Sequence, residues 1–122
     1  ERINFLGTVP YQTFKQLLCL STVHVYLTYP FVLSWSLLEA MAAGCAIVGS
    51  RTPPVEEVVE AGKTGILVDF FDTAQIASEV TELLENPGKR VMLGEAARQH
   101  VMQNYDLRTK CLPEQIAWAE IQ

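Results

Sequence analysis

The sequence lacks the short motifs that mark the common catalytic sites. It contains no G-x-G-x-x-G fingerprint and no Walker lysine, so neither that type of dinucleotide site nor a P-loop is predicted. No group of His, Cys and Asp residues has the spacing of a metal site. The two histidines, His24 and His100, fall inside a predicted strand and a predicted helix, without a Ser or Cys arranged as a hydrolytic triad requires. We therefore predict packed or solvated histidines, no metal site and no hydrolytic triad.

Positive charge is also scarce. The chain carries 9 Lys and Arg against 14 Asp and Glu, a formal net charge of −5. This balance disfavours nucleic acid or an anionic membrane as the partner of this chain. No apolar run approaches the length of a membrane span, and no signal-peptide pattern opens the chain. These features predict a cytoplasmic protein without a transmembrane segment.

Cysteine occurs in an odd number and without C-x-x-C spacing. Cys19, Cys45 and Cys111 each have apolar neighbours in the sequence. The prediction for all three is a small buried hydrophobic side chain in a reducing compartment, in preference to a disulfide or a metal ligand.

What the chain does contain is an alternation of short apolar runs with helical patterns. Strands are predicted at 3–6, 23–27, 46–48 and 66–68, and helices at 11–20, 37–42, 55–59, 73–85, 89–104 and from 107 onward. This pattern is typical of an α/β fold, a parallel sheet with helices on both faces. Right-handed crossovers put the loops at 7–10, 28–35, 49–54 and 69–73 on one edge of the sheet, where we expect any ligand.

One acid, Glu39, lies on the helix that follows the second of these loops. Its spacing from Ser36 leaves two interpretations open. If the helix begins at Ser36, the two residues form a capping box and the carboxylate bonds the Ser36 N–H. If the helix begins near Ser34, Glu39 lies one turn in and faces the crevice. There it could accept both hydroxyls of a ribose while helix N–H groups meet a diphosphate.

Several motifs occur in order along almost the whole chain. They are Phe5-Leu-Gly7, Val25-Tyr-Leu27, Ser36-Leu-Leu-Glu-Ala-Met-Ala-Ala-Gly-Cys-Ala-Ile-Val-Gly49, Glu57-Val-Val59, Gly62-Lys-Thr-Gly-Ile-Leu-Val68 and Asn104-Tyr105. This set resembles the carboxyl-terminal, nucleotide-sugar-binding half of retaining GT-B glycosyltransferases of the group 1 family. The resemblance implies a Rossmann-like three-layer domain, and an enzyme that moves a sugar from a nucleoside-diphosphate donor to an acceptor without a metal ion or other cofactor.

The resemblance also assigns roles to individual positions. Glu39 matches the second of the family's two glutamates, which holds the donor ribose. The resemblance implies no catalytic nucleophile in this chain. The first glutamate falls at position 31, where this chain has Phe31. The backbone at Phe31, Val32, Leu33, Ser34 and Trp35 is then expected to meet the donor sugar and diphosphate, and the backbone at Gly7, Thr8 and Val9 the base. Pro53-Pro54 replaces the Gly-Gly that usually precedes the helix of Glu57.

The likeness further implies that residues 1–122 form only part of the donor-binding domain. The family's domain begins with two more strands, and its amino-terminal acceptor domain is separate. We therefore expect a missing acceptor domain, through which the enzyme could lie at a membrane, and a fragment that is inactive alone. The strand at 3–6 would lack neighbours, and an unpaired sheet edge invites dimerisation or swapping. Two alternatives stay open: a nucleotide-sugar 2-epimerase of the same fold, and a non-catalytic nucleotide-binding or interaction domain.

Overall fold

The computed structural model describes residues 2–29 and 32–120 of the chain. Helices alternate with strands as the apolar pattern predicts. The elements are α1 (Tyr11–Leu20), β1 (Val23–Tyr26), α2 (Trp35–Ala42), β2 (Ala46–Ser50), α3 (Pro53–Glu56), β3 (Ile66–Val68), α4 (Thr73–Glu85), α5 (Pro87–Asn104), a π-helical turn (Leu107–Cys111) and α6 (Leu112–Glu120). Within the part of the chain that the structure describes, no helix is both long enough and apolar enough to cross a bilayer.

The three strands form one parallel sheet in the order β1-β2-β3. Val23 pairs with Ala46, and Val48 pairs with Ile66. The central strand β2 is buried along its whole length, because helices cover both faces of the sheet. The α/β fold class is confirmed.

Successive side chains of β2 belong to two separate cores, as the period of a strand requires. Ile47 packs on one face with α1, α2 and α3, in a cluster that includes Leu37 and Met41. Ala46 and Val48 pack on the opposite face with Leu83 of α4. Glu39 is a residue of α2, so it lies on the face of the sheet that carries α1 and α2.

The strand predicted at 3–6 is wrong. Residues 2–7 form no regular element, and Phe5 is 96% exposed. A strand needs a neighbour to accept and donate its backbone hydrogen bonds, and residues 2–7 pair with no strand of the sheet, so the outer edge of β1 stays unpaired among the described residues.

A close backbone contact joins α5 to the turn between α2 and β2. Gly44, with φ of +81°, turns the chain into β2 in a conformation that favours glycine. A Cβ placed on Gly94 of α5 would overlap the carbonyl oxygen of Gly44. Glycine at position 94 therefore lets α5 lie directly on this turn, beneath the end of α2.

Candidate functional site

Helix α2 begins at Trp35, and its first turn is capped from outside by Ser34. The Ser34 Oγ accepts a hydrogen bond from the Ser36 N–H at 3.3 Å. The capping-box interpretation of Glu39 is therefore wrong, because the Ser36 amide already bonds the Ser34 hydroxyl. Glu39 lies one turn into the helix. Since helical side chains lean toward the helix N-terminus, its carboxylate is directed toward the carboxyl ends of the strands.

The carboxylate of Glu39 contacts helix α1. The Tyr11 hydroxyl donates a hydrogen bond to Glu39 Oε1 at 2.7 Å. Tyr11 is the first residue of α1, and this helix also starts at the carboxyl edge of the sheet because it runs down to the amino end of β1. The hydrogen bond to Glu39 raises the pKa of Tyr11 above its usual range, so the phenol stays protonated and acts as the donor.

A groove between α1 and α2 opens beside this pair. It encloses about 270 Å³ and is lined by Tyr11, Lys15, Leu18, Cys19, Glu39, Ala42 and Ala43. Its polar groups lie where Tyr11, Lys15 and Glu39 meet, and aliphatic side chains line the rest. The Lys15 Nζ lies 5.1 Å from the centroid of the Tyr11 ring, a distance at which a cation is attracted to an aromatic face.

The loop before α2 differs from what the sequence predicts. Of the five residues whose backbone we expect at the donor sugar and diphosphate, Phe31 lies outside the described residues. The Ser34 N–H donates to the Tyr26 hydroxyl at 2.9 Å, so in this structure it is not directed to an open crevice. Val32 is exposed, and Leu33 packs against the core cluster of α1 and α2.

Trp35 lies at a second cavity and not at the groove of Glu39. This cavity encloses about 300 Å³ and is lined by Leu33, Trp35, Leu38, Tyr105, Leu107, Cys111 and Gln115. The Trp35 side chain is 81% exposed. The structure thus places Trp35, the first residue of α2, beside the π-helical turn.

The remaining loops of the carboxyl edge contact one another. Thr28, after β1, is hydrogen-bonded through both backbone groups to the Ser50 hydroxyl at the end of β2. Tyr29 stacks with Phe70 and Phe71, after β3, at centroid distances of 5.5 and 5.3 Å. These contacts confirm that the loops after β1, β2 and β3 share one edge.

The segment expected at the base, Gly7 to Val9, leads into α1. Gly7 has φ of +61°, and it and Thr8 are exposed while Val9 is partly buried. In the described part of the chain no hydrogen bond joins residues 7–9 to Glu39. Their place at this edge follows only from their connection to Tyr11.

The cysteines are not all buried. Cys45 is buried, its Sγ donates to the Leu18 carbonyl at 3.2 Å, and burial raises the pKa of the thiol. Cys111 is half-buried, whereas Cys19 is exposed. The prediction for Cys19 is wrong because Leu18 takes the core-facing position of α1, and Cys19, the next residue, lines the open groove between α1 and α2 and stays exposed.

The histidines lie where the sequence predicts. His24 is half-buried in β1, and burial lowers its pKa. His100 lies on α5 with its Nδ1 3.3 Å from Glu60 Oε1. Among residues 2–29 and 32–120, no group of three or more His, Cys, Asp or Glu side chains could hold a metal ion.

Comparison with known proteins assigns the family. The family model described as glycosyl transferases group 1 matches residues 1–100. The chain therefore belongs to this family, as the motifs around Glu39 imply.

Individual relatives agree with that assignment. The N-acetyl-alpha-D-glucosaminyl L-malate synthase of Bacillus anthracis is 31% identical over 105 residues, which are 86% of this chain and 27% of the relative. The crystal structure of HepE from Anabaena in complex with UDP-glucose matches 98% of this chain and 32% of its own, with a TM-score of 0.87 and 23% identity. The carboxyl-terminal domain of LpcC, a group 1 family protein from Francisella tularensis, matches 87% of this chain and 53% of its own, with a TM-score of 0.69 and 18% identity.

The likeness to solved structures supports a Rossmann-like GT-B fold. This chain spans between about a quarter and a third of the length of the Bacillus relative and of HepE.

Proposed function

We propose that this chain is the carboxyl-terminal, donor-binding part of a two-domain glycosyltransferase. The whole enzyme would move a sugar from a nucleoside-diphosphate sugar to an acceptor, with retention of configuration and without a metal ion or other cofactor. Family membership supports the reaction class. The complex of HepE with UDP-glucose and the carboxyl-terminal domain of LpcC support the donor and the position in the chain.

The observation that carries the proposal is which groups the Glu39 carboxylate contacts. It is bonded to a phenol and not to its own helix backbone, and it lies at a groove large enough for part of a nucleotide. A carboxylate offers about four acceptor lone pairs. One is used by Tyr11, and the others suit the two neighbouring hydroxyls of a ribose, which are both donors.

The diphosphate would lie beyond the ribose, at the start of α2. The backbone N–H groups of Val32, Leu33 and Trp35 are the candidates to meet the donor sugar and diphosphate there, supported by the positive end of the helix dipole. As the sugar–phosphate bond breaks, negative charge grows on the leaving diphosphate, and fixed donors of this kind stabilise it. The backbone of Gly7, Thr8 and Val9 remains the candidate for the base.

A transferase needs an acceptor site, which we place on an amino-terminal domain that this chain does not include. The 122-residue chain alone should therefore bind nucleotide weakly and turn over no nucleotide sugar. A cytoplasmic enzyme, in contact with a membrane through the acceptor domain, is the location we propose.

Two departures from the family pattern favour a second candidate, a nucleotide-binding domain without catalytic activity. Phe31 stands where the family's first glutamate would bind a sugar hydroxyl, and Pro53-Pro54 stands where a flexible Gly-Gly is usual. A phenylalanine can pack against a sugar ring but accepts no hydrogen bond from it. Binding of nucleoside diphosphate without hydrolysis or transfer of any sugar donor by the full-length protein would support this candidate.

The test of the proposed site is a pair of charge-removing variants. Glu39→Gln removes the charge at the groove, and Glu85→Gln removes one from the exposed end of α4, at the opposite edge of the sheet. Binding of UDP and of GDP is followed by NMR titration at millimolar ligand. Because a hydrogen bond to a charged group contributes about 1.5–3 kcal/mol, Glu39→Gln should weaken binding about tenfold or more while Glu85→Gln binds as the unmodified chain does. Equal affinity of all three proteins would refute Glu39 as the ribose ligand.

A further inference from the structure

We propose that Tyr11 is the positioning residue of the ribose site, and that through Glu39 it makes the site select nucleotides with an intact ribose diol. The inference rests on the proposed function of Glu39. It concerns a residue outside the motifs of the family, on a helix separate from the one that carries the acid.

The geometry of the pair supports this role. Tyr11 and Glu39 are separated by 28 residues in the sequence, yet the phenol oxygen lies 2.7 Å from Oε1, a short distance typical of a charge-assisted bond. A glutamate on a helix surface ordinarily moves among several rotamers. A bond from the neighbouring helix restricts that motion, so less conformational entropy is lost when a ligand binds.

The lone pairs that remain match a diol. Tyr11 occupies one site on Oε1, which leaves Oε2 and the second lone pair of Oε1 for two hydroxyl donors. The phenol oxygen, having donated its proton, keeps its own lone pairs and can accept from one of the same hydroxyls. A nucleotide that lacks the 2′ and 3′ hydroxyls gains nothing from this arrangement.

Lys15 is a second charged neighbour of the Tyr11 ring. Its ammonium lies over the Tyr11 ring, 5.1 Å from the centroid, and it lines the same groove as Glu39. The ring is therefore placed between a cation on its face and a carboxylate at its hydroxyl. The phenol is protonated at neutral pH and can donate to Glu39, and that bond raises the pKa of Tyr11 further.

The experiment compares three variants on two kinds of ligand. Tyr11→Phe removes only the hydroxyl, Ser78→Ala removes a hydroxyl from an exposed position of α4 on the opposite face of the sheet, and Glu39→Gln tests the acid itself. Each protein is titrated by NMR with UDP and GDP, and with the 2′,3′-dideoxy form of whichever diphosphate binds more tightly. Thermal unfolding confirms that each variant is folded.

The expected result is a loss that depends on the diol. Without the Tyr11 hydroxyl the ligand must itself immobilise the Glu39 side chain, so Tyr11→Phe should weaken ribonucleotide binding roughly threefold to tenfold, about the cost of ordering one flexible side chain. Its affinity for the dideoxy nucleotide should equal that of the unmodified chain, and Ser78→Ala should change neither affinity.

Each contrary result has a distinct meaning. Unchanged ribonucleotide binding by Tyr11→Phe, or an equal loss on both ligands, would overturn the role of Tyr11. If Glu39→Gln weakens binding at the same time, the proposed ribose site survives. Unchanged binding by Glu39→Gln, or no saturable binding of either diphosphate to the unmodified chain, would overturn the proposed function and this inference together.

Discussion

The Ser50 hydroxyl bonds both backbone groups of Thr28. Its Oγ accepts from the Thr28 N–H at 3.0 Å and donates to the Thr28 carbonyl at 2.9 Å. Ser50 is fully buried at the end of β2. This one side chain therefore fixes the start of the loop that leads from β1 to α2, the helix of Glu39.

Removing this hydroxyl should destabilise the fold. Ser50→Ala leaves a partly buried N–H and C=O without their partner, and such a loss costs about 1–3 kcal/mol. Chemical denaturation should show that decrease in the free energy of unfolding. Ser78→Ala, at an exposed position of α4, is the control and should change it by less than about 0.5 kcal/mol. A Ser50→Ala protein as stable as the control would show that water replaces the hydroxyl at no cost.

The hydrogen bond between Tyr11 and Glu39 predicts that the Tyr11 phenol titrates at a higher pH in the folded protein than in the unfolded chain. The folded protein holds the pKa of Tyr11 above its ordinary value of about 10. The stability that this bond contributes is therefore fully present below pH 10, and it is lost as the pH rises through the folded-state pKa. Glu39→Gln should lower the Tyr11 pKa toward that ordinary value. NMR of the ring protons measures both values, and an unchanged pKa in the variant would contradict the contact.

Replacing the glycine at position 94 should lower the stability of the fold. A methyl group there meets the Gly44 carbonyl, and because both partners are backbone, relief requires α5 to move. We expect Gly94→Ala to lower the free energy of unfolding by about 2–3 kcal/mol. The control is Gly88→Ala in the first turn of the same helix, where a Cβ would come no closer than 3.6 Å to the Asn86 side chain. That change should be neutral or stabilising by up to about 1 kcal/mol. Similar losses for both variants would argue against the close contact.

The three thiols should differ in reactivity. Cys19 is exposed, Cys111 is half-buried, and Cys45 is buried with its pKa raised by desolvation. Since the thiolate is the reactive form, Ellman's reagent should modify Cys19 quickly and leave Cys45 protected in the native protein. Cys19→Ser should abolish the fast phase, and all three thiols should react in denaturant. A fast phase that survives Cys19→Ser would contradict this order.

The sequence predicts the elements well where the signals are local. The helix predicted at 11–20 and the strand at 66–68 have the observed bounds. Asp72 and Gln75 have the spacing of a capping box, which predicts a helix that begins just after Asp72. Asp72 does cap α4, by accepting from the Gln75 N–H at 2.8 Å. The Gln75 side chain does not bond the Asp72 backbone, because it accepts from the Asp69 N–H. Each confirmed feature depends on residues fewer than five positions apart.

The parallel sheet was predicted from the alternation of strands and helices, but individual contacts between residues far apart in the sequence were not. The strand at 3–6 has a strand-like composition, yet pairing is decided by neighbours far along the chain. The sequence likewise gave no sign that the Ser34 N–H would bond Tyr26. Tyr11 as the partner of Glu39 could have been found, because right-handed crossovers already place the starts of α1 and α2 at the same edge. What the sequence could not supply was which of the polar residues near that edge would come within bonding distance.

One consequence of the sheet order concerns hydrogen exchange. Strand β1 is paired only with β2 within residues 2–29 and 32–120, so every second amide of β1 points outward, away from that partner. These protons should be replaced by deuterium in seconds to minutes, whereas those of β2 should persist. A strand with alternating fast and protected amides would then lie directly beside the best protected one, and binding of any additional strand along that flank would be visible as slowed deuterium uptake at the fast positions.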